Sequence, residues 1–158
     1  MRFILIYLSF LTFLGCATLR IAKVPESQKD TQQPRVLKDL LGGDPEGLII
    51  VEKVFPKETI QQIVSSPEVT EARLVKLVRP TALQLVPEHR LLDISPNGPY
   101  RALGFEIGDI IIGAHGYVID YPIQFYRYVK SLPFFDTASF DIIRRGKPVR
   151  IVLKIVSS

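Results

Sequence analysis

The stretch from Thr137 to Val156, TASFDIIRRGKPVRIVLKIV, constrains the fold more than any other part of the chain. In its second half Val149, Ile151, Leu153 and Ile155 alternate with Arg150, Val152, Lys154 and Val156. A period of two sends the two sets to opposite faces of a strand. Gly146-Lys147-Pro148 supplies turn chemistry between 137–145 and 149–156, so the two halves are expected to pair as a hairpin. The all-aliphatic set demands a covering layer. Val152 and Val156 leave the outer face partly apolar.

The covering layer is legible upstream. Gly47 to Phe55 (GLIIVEKVF) is β-branched and reads as a strand. Pro56 opens a helix to Ser66, with Glu58 in its first turn and Ile60, Ile63 and Val64 on one face. Pro67 ends it. Residues 72–78 form a second strand stopped by Pro80, and 82–86 and 90–95 are short strands. Pro96-Asn97-Gly98-Pro99 is a turn, followed by one helical turn to Leu103 that Gly104 terminates in the left-handed region. Phe105 and Ile107 are expected in the core. Gly108 permits a tight turn, with the Asp109 carboxylate folded back on its amides. Ile110-Ile111-Ile112 is a buried strand, His115-Gly116 a tight hairpin turn, and 121–130 a helix. Short strands with two or three helices make a small α+β domain, a partly open barrel or sandwich.

The 158 residues, 47% of them hydrophobic, suit one such domain plus appendages. The net charge of +4 is spread along the chain without a run of five like charges, which argues against nucleic acid.

The N-terminus is a targeting signal. Arg2 precedes the apolar block Phe3–Leu14, and Gly15-Cys16-Ala17 follows. The block is shorter than the ~20 residues a membrane span needs, so it reads as a signal peptide. Cys16 is the only cysteine, so it has no internal disulfide partner. Phe13-Leu14-Gly15-Cys16 resembles the bacterial lipobox, whose cysteine is diacylated, with Phe13 where leucine is usual. The alternatives are an uncleaved anchor from Phe3 to Leu19 and a secreted chain with a free thiol. All three place the domain outside the bacterial cytoplasm. Ala17 after the cysteine is compatible with outer-membrane sorting. Residues 20–34 are polar and expected to be a flexible leash. The expected organisation is a signal peptide over 1–15, a lipid-anchored tether over 16–46 and a folded domain over 47–158.

Ala102-Leu103-Gly104-Phe105, two residues, then Gly108-Asp109-Ile110-Ile111 and a turn ending in Gly116 resemble the permuted PDZ domains of bacteria. His115 stands where that family usually has asparagine. In such domains this segment is a structural helix-turn-strand, so Leu103-Gly104-Phe105 is not expected to be a carboxylate-binding loop. Upstream, Phe55-Pro56-Lys57-Glu58, Ser66-Pro67-Glu68 and Ala72-Arg73-Leu74-Val75 are similar to the PDZ region of type II secretion system protein C. The likeness covers roughly residues 48–156.

That resemblance implies a protein-interaction module in the envelope, with a secretion or assembly component as partner and no cofactor. PDZ domains recruit a segment as an added strand beside a groove between one strand and one helix. The groove residues implied here are Leu74, Val75, Lys76 and Leu77 on the strand, and Ile123, Tyr126, Arg127 and Lys130 on the helix. Phe125, Tyr128, Val129 and Leu132 fall on the helix's core face. The loop 67–72 that would cap the groove reads PEVTEA, with two glutamates and no glycine. It is therefore expected to disfavour a free C-terminal carboxylate and to leave an internal segment as the ligand.

Catalysis is not expected. His89 and His115 both fall at turns, no nucleophile elbow or metal-binding helix motif occurs, and the aspartates sit where capping explains them. No metal site is expected. Two further functions stay open: a structural envelope lipoprotein that packs through its outer faces, and a regulator that delivers peptides to a separate protease.

Overall fold

The computed structural model describes residues 35–78 and 86–157. The signal segment, Cys16, the leash up to residue 34 and most of the strand expected at 82–86 lie outside the described residues.

Seven strands make one mixed sheet: β1 (Ile49–Pro56), β2 (Arg73–Leu77), β3 (Glu88–Leu92), β4 (Ile110–Ala114), β5 (Tyr117–Val118), β6 (Thr137–Arg144) and β7 (Lys147–Val156). Their order is β1-β7-β6-β4-β3-β2, with β5 attached to β4. The C-terminal hairpin lies at its centre, and its turn is the residue pair Arg145-Gly146, both at positive φ, so β7 starts two residues before Val149. β1 joins β7 in parallel, while the other pairings are antiparallel. The sheet does not close, and β1 and β2 are its edges.

Five α-helical segments accompany the sheet: α1 (Leu37–Leu41), α2 (Lys57–Ser65), α3 (Glu68–Glu71), α4 (Pro99–Leu103) and α5 (Pro122–Ser131), which continues as a 3-10 turn over Leu132–Phe134. This is the expected α+β class; α1, ended by Gly42 in the left-handed region, is a helix the sequence Val36–Leu41 allows, and one further short helix was not expected. That helix, α3, replaces the loop expected before β2. Pro67 adopts helical angles, the Thr70 amide and hydroxyl both donate to its carbonyl, and fully buried Val69 fastens the turn to the core.

The sheet's inner face carries Leu91, Ile111, Phe140, Ile142, Val149, Ile151, Leu153 and Ile155, packed under Ile60 and Val64 of α2, Tyr100 and Leu103 of α4, and Phe125 and Val129 of α5. Phe105 sits edge-on to Tyr100, Phe125 and Phe140, with ring centroids 5.1–5.9 Å apart. Such T-shaped pairs add to what burial alone supplies. Ile107, expected in the core, is 55% exposed instead. It lies in the turn leading to Gly108, where backbone bonds rather than packing set the path.

The sheet's other face is covered by the chain's own N-terminal segment. The Leu37 amide donates to Gly116 O (2.7 Å), and the Val118 amide donates to Arg35 O (2.9 Å). Leu37 is 3% exposed and packs with Val86, Ile110, Ile112 and Val118. Arg150 donates to Asp141 (2.7 Å) on the sheet and to Asp44 (2.9 Å) on the strap, and Asp44 also pairs with Lys38 (2.9 Å). Arg35 pairs with Asp120. Residues 35–46 therefore pack against the domain expected to begin at 47. The short apolar group Val36-Leu37-Leu40-Leu41 lacks the length to announce a docked strap.

The Leu103–Asp109 segment closes a helix and aims a strand. Gly104 caps α4 at φ 103°, a conformation that disfavours a side chain. The Asp109 carboxylate accepts the Glu106 amide (2.8 Å), folding back on the turn. It also receives two bonds from Arg144 (2.9 and 2.7 Å), which in turn donates to Gly104 O (2.7 Å). Gly116 takes φ 80° in the β4–β5 turn beside His115 at φ 51°. These residues hold the backbone and offer no open loop of amides.

Candidate interaction groove

The start of α5 is set locally. Gln124 reaches back so that its side-chain oxygen accepts the amides of Asp120 (2.7 Å) and Tyr121 (3.1 Å), and Pro122 occupies the first turn, where a missing N–H costs nothing. With the helix so placed, Phe125, Val129 and Leu132 are fully buried and Tyr128 is half-buried. The opposite stripe is Ile123, Tyr126, Arg127 and Lys130. Ile123 is 51% exposed, and Phe134, one turn beyond the helix, is 85% exposed. With Thr70 of α3 and Ser131 they line an open, largely apolar depression of about 390 Å3. The structure thus brings together the four α5 residues singled out from the sequence. Thr70 and Phe134 were missed. Phe134 lies in the run Leu132-Pro133-Phe134-Phe135, whose exposed member cannot be told from its buried ones until the 3-10 turn orients them.

β2 flanks this helix, but its four candidates do not act as one surface. Leu74 and Lys76 share the face opposite Leu91 and His89, where Leu74 reaches the main core and Lys76 is exposed. Leu77 packs in the second cluster on the far face. Val75 shares that far face through the pleat. Val75 and Leu77 are therefore corrected out of the groove, because alternation forbids four consecutive residues from facing one helix.

Tyr126 bridges the two walls. Its hydroxyl donates to Ala72 O (2.6 Å) and receives the Leu74 amide. Burial pushes the phenol above its ordinary pKa, against the opposing pull of that amide. Ala72, Leu74 and Lys76 point their backbone groups to the same edge of β2. The hydroxyl takes the first carbonyl and amide of that edge, at the end closed by α3. Glu68 and Glu71 of the same helix line a separate small pocket with Asp93, Ser95 and Tyr100.

Lys76, Arg127 and Lys130 are exposed and make no ion pair among the described residues. Elsewhere, Arg144 pairs with Asp109, Arg150 with Asp141 and Lys154 with Glu52.

The histidines are placed differently from expectation. His89 is fully buried on β3, not exposed at a turn, with Nε2 3.0 Å from Ile119 O, and burial lowers its pKa. His115 is exposed in its hairpin turn, its ring tilted against Phe135 at 5.3 Å. Among the described residues no three metal-ligating side chains gather. A second cavity of about 300 Å3 lies under the strap, between Leu37, Leu41 and Ile142, and its Asp141 and Arg150 are bonded to each other.

An open mixed sheet with an edge strand flanked by a helix defines a PDZ-like α+β domain. The fold is similar to solved structures of the PDZ domain of EpsC from Vibrio cholerae. One, covering residues 204–305, shows 15% identity and a TM-score of 0.40, over 61% of this chain and 91% of that one. Another, residues 219–305, shows 17% identity and a TM-score of 0.36, over 52% and 92%. No family model matches the sequence, and no curated protein does.

Proposed function

We propose that this protein is an envelope-anchored interaction module that receives an internal segment of a partner protein in the groove between β2 and α5. The observation that carries the reading is the α5 stripe, Ile123, Tyr126, Arg127 and Lys130. With Thr70 of α3 and Phe134 it lines an open, largely apolar depression, and Tyr126 ties it to the free edge of β2. Strand addition on β2 would use the Leu74 carbonyl and the Lys76 backbone, since Tyr126 holds the edge at Ala72. The end closed by Tyr126 and α3 supports an internal segment over a free C-terminus. The N-terminal sequence supports a lipid anchor at Cys16, a periplasmic domain and the outer membrane. A secretion or assembly component is the partner class that the sequence resemblance suggests.

The test is affinity capture from detergent-solubilised envelope on columns of the native protein and of Tyr126→Asp, each checked for folding by circular dichroism. A component held by the native protein and lost on the variant supports the groove. Identical retention on both columns eliminates it.

A second reading has its own observation. Ile50 and Val54 on β1 are 58% and 62% exposed, and Val156 of the adjoining β7 is 46% exposed. They lie on one outer face around the Glu52–Lys154 pair (2.7 Å). A structural lipoprotein that packs through this patch would keep its partners in Tyr126→Asp and lose them in Val54→Asp.

A further inference from the structure

The charge pattern of the groove specifies what its occupant carries; this rests on the reading of the groove as the docking site. Ile123, Arg127, Lys130 and Phe134 stand at i, i+4, i+7 and i+11, one line along α5 and its 3-10 extension. The line begins and ends in an exposed apolar side chain. Between them stand a guanidinium and an ammonium without an ion-pair partner among the described residues, and Lys76 adds a third exposed cation from β2. At about 1.5 Å per residue the apolar ends are roughly 16 Å apart. An extended chain covers that in about five residues. Glu68 and Glu71 of α3 line a separate small pocket with Ser95, Pro99 and Tyr100 and do not line this depression.

We propose that the groove selects an internal acidic segment of a partner protein, in which two apolar side chains roughly four to six residues apart, at an even spacing, flank carboxylates at the alternate positions between them, so that an extended chain turns all of them to the helix. The apolar side chains rest on Ile123 and Phe134, and the carboxylates face Arg127 and Lys130. Exposed ion pairs are individually weak, because each competes with water and restricts two long side chains. Two such pairs, set against two repulsions for a basic segment, make discrimination of about tenfold the expected scale.

The test uses the full chain in non-ionic detergent and fluorescein-labelled peptides capped at both ends. The probe carries the core Leu-Thr-Asp-Thr-Glu-Thr-Leu, whose leucines and carboxylates share one face of an extended chain, and comparison peptides replace the two acidic residues by lysines or both leucines by serine. Binding is read as fluorescence anisotropy. The expected result is micromolar binding of the acidic probe, at least tenfold weaker binding of both comparison peptides, and weakening of the probe as salt rises from about 0.05 M to about 0.5 M. Arg127→Glu/Lys130→Glu should lose the probe by tenfold or more, while Lys57→Glu/Lys147→Glu, which changes two exposed cations elsewhere, should keep it. Equal binding of acidic and basic peptides, both abolished by Tyr126→Asp, would overturn the charge selection and leave the groove intact. Binding lost in the Lys57/Lys147 variant but kept in the Arg127/Lys130 variant would move the site and overturn the proposal. No binding of any peptide would sink both the proposal and the groove reading.

Discussion

Replacing Arg144 by methionine tests whether the Gly104–Asp109 turn is held by a single distant side chain. Asp109 is 1% exposed, and its two oxygens receive one backbone amide and two bonds from the Arg144 guanidinium. Methionine keeps the stem's bulk and removes the charge, leaving a buried carboxylate with the Glu106 amide alone. Breaking a buried ion pair from one side costs about 3–5 kcal/mol. The Gly104 carbonyl also loses its donor (2.7 Å), worth about 1 kcal/mol more. Against a total stability of about 5–15 kcal/mol for a domain of this size, that is a large fraction. Removing the carboxylate as well changes the sum: in Arg144→Met/Asp109→Asn no unpaired charge remains, so the double variant should be more stable than Arg144→Met alone. The assay is urea unfolding followed by circular dichroism at neutral pH for wild type, both singles and the double, compared at equal m. A loss below about 1 kcal/mol in Arg144→Met, or strictly additive single costs, would refute the reasoning.

Three further outcomes are expected. A Cβ at Gly113 would lie 2.8 Å from Leu37 Cδ2 and 3.0 Å from the Tyr117 carbonyl, so Gly113→Ala should cost about 1–3 kcal/mol and raise amide exchange at Leu37 and Val118; unchanged protection of those amides contradicts the docked strap. Burial holds His89 below its ordinary pKa of 6.5, so just below that value the unfolded chain binds more protons than the native one. The His89 contribution is thus complete above about pH 6.5 and is lost as pH falls towards the lowered native value. The urea midpoint should drop between pH 7.5 and 5.5, less steeply in His89→Gln, and identical slopes would count against it. Under the lipid-anchor proposal, Cys16→Ser should abolish incorporation of labelled palmitate and move the protein from the membrane to the soluble fraction; continued membrane retention without label points to the uncleaved anchor.

What was legible in the sequence has short range. The alternation in Val149–Ile155 named its buried face, and the turn chemistry of Gly104, Gly108 and His115-Gly116 marked where the backbone reverses, because each depends on residues within one turn or one pleat. The core face of α5 followed from helical spacing for the same reason. Where packing and partner bonds compete with local preference, the reading failed. The polar sequence around Pro67 became the helix α3 because Val69 found the core, His89 was drawn inside by β3, and Ile107 stayed outside.

The sequence by itself determined the α+β class, the C-terminal hairpin, the Gly-Asp turn and the division of α5 into a core face and an outward one. Only the tertiary structure decided that β1 runs parallel to β7, that residues 35–46 strap the second face, and that Tyr126 seals one end of the β2 edge. It also decided, among the described residues, which cations pair with a carboxylate, Arg144 with Asp109 and Arg150 with Asp141 among them. The physical reason is separation along the chain. Arg144 meets Asp109 across 35 residues, Tyr126 meets Ala72 across 54, and Arg150 meets Asp44 across 106. No local period encodes such pairs; they exist because the packed sheet brings their backbones together.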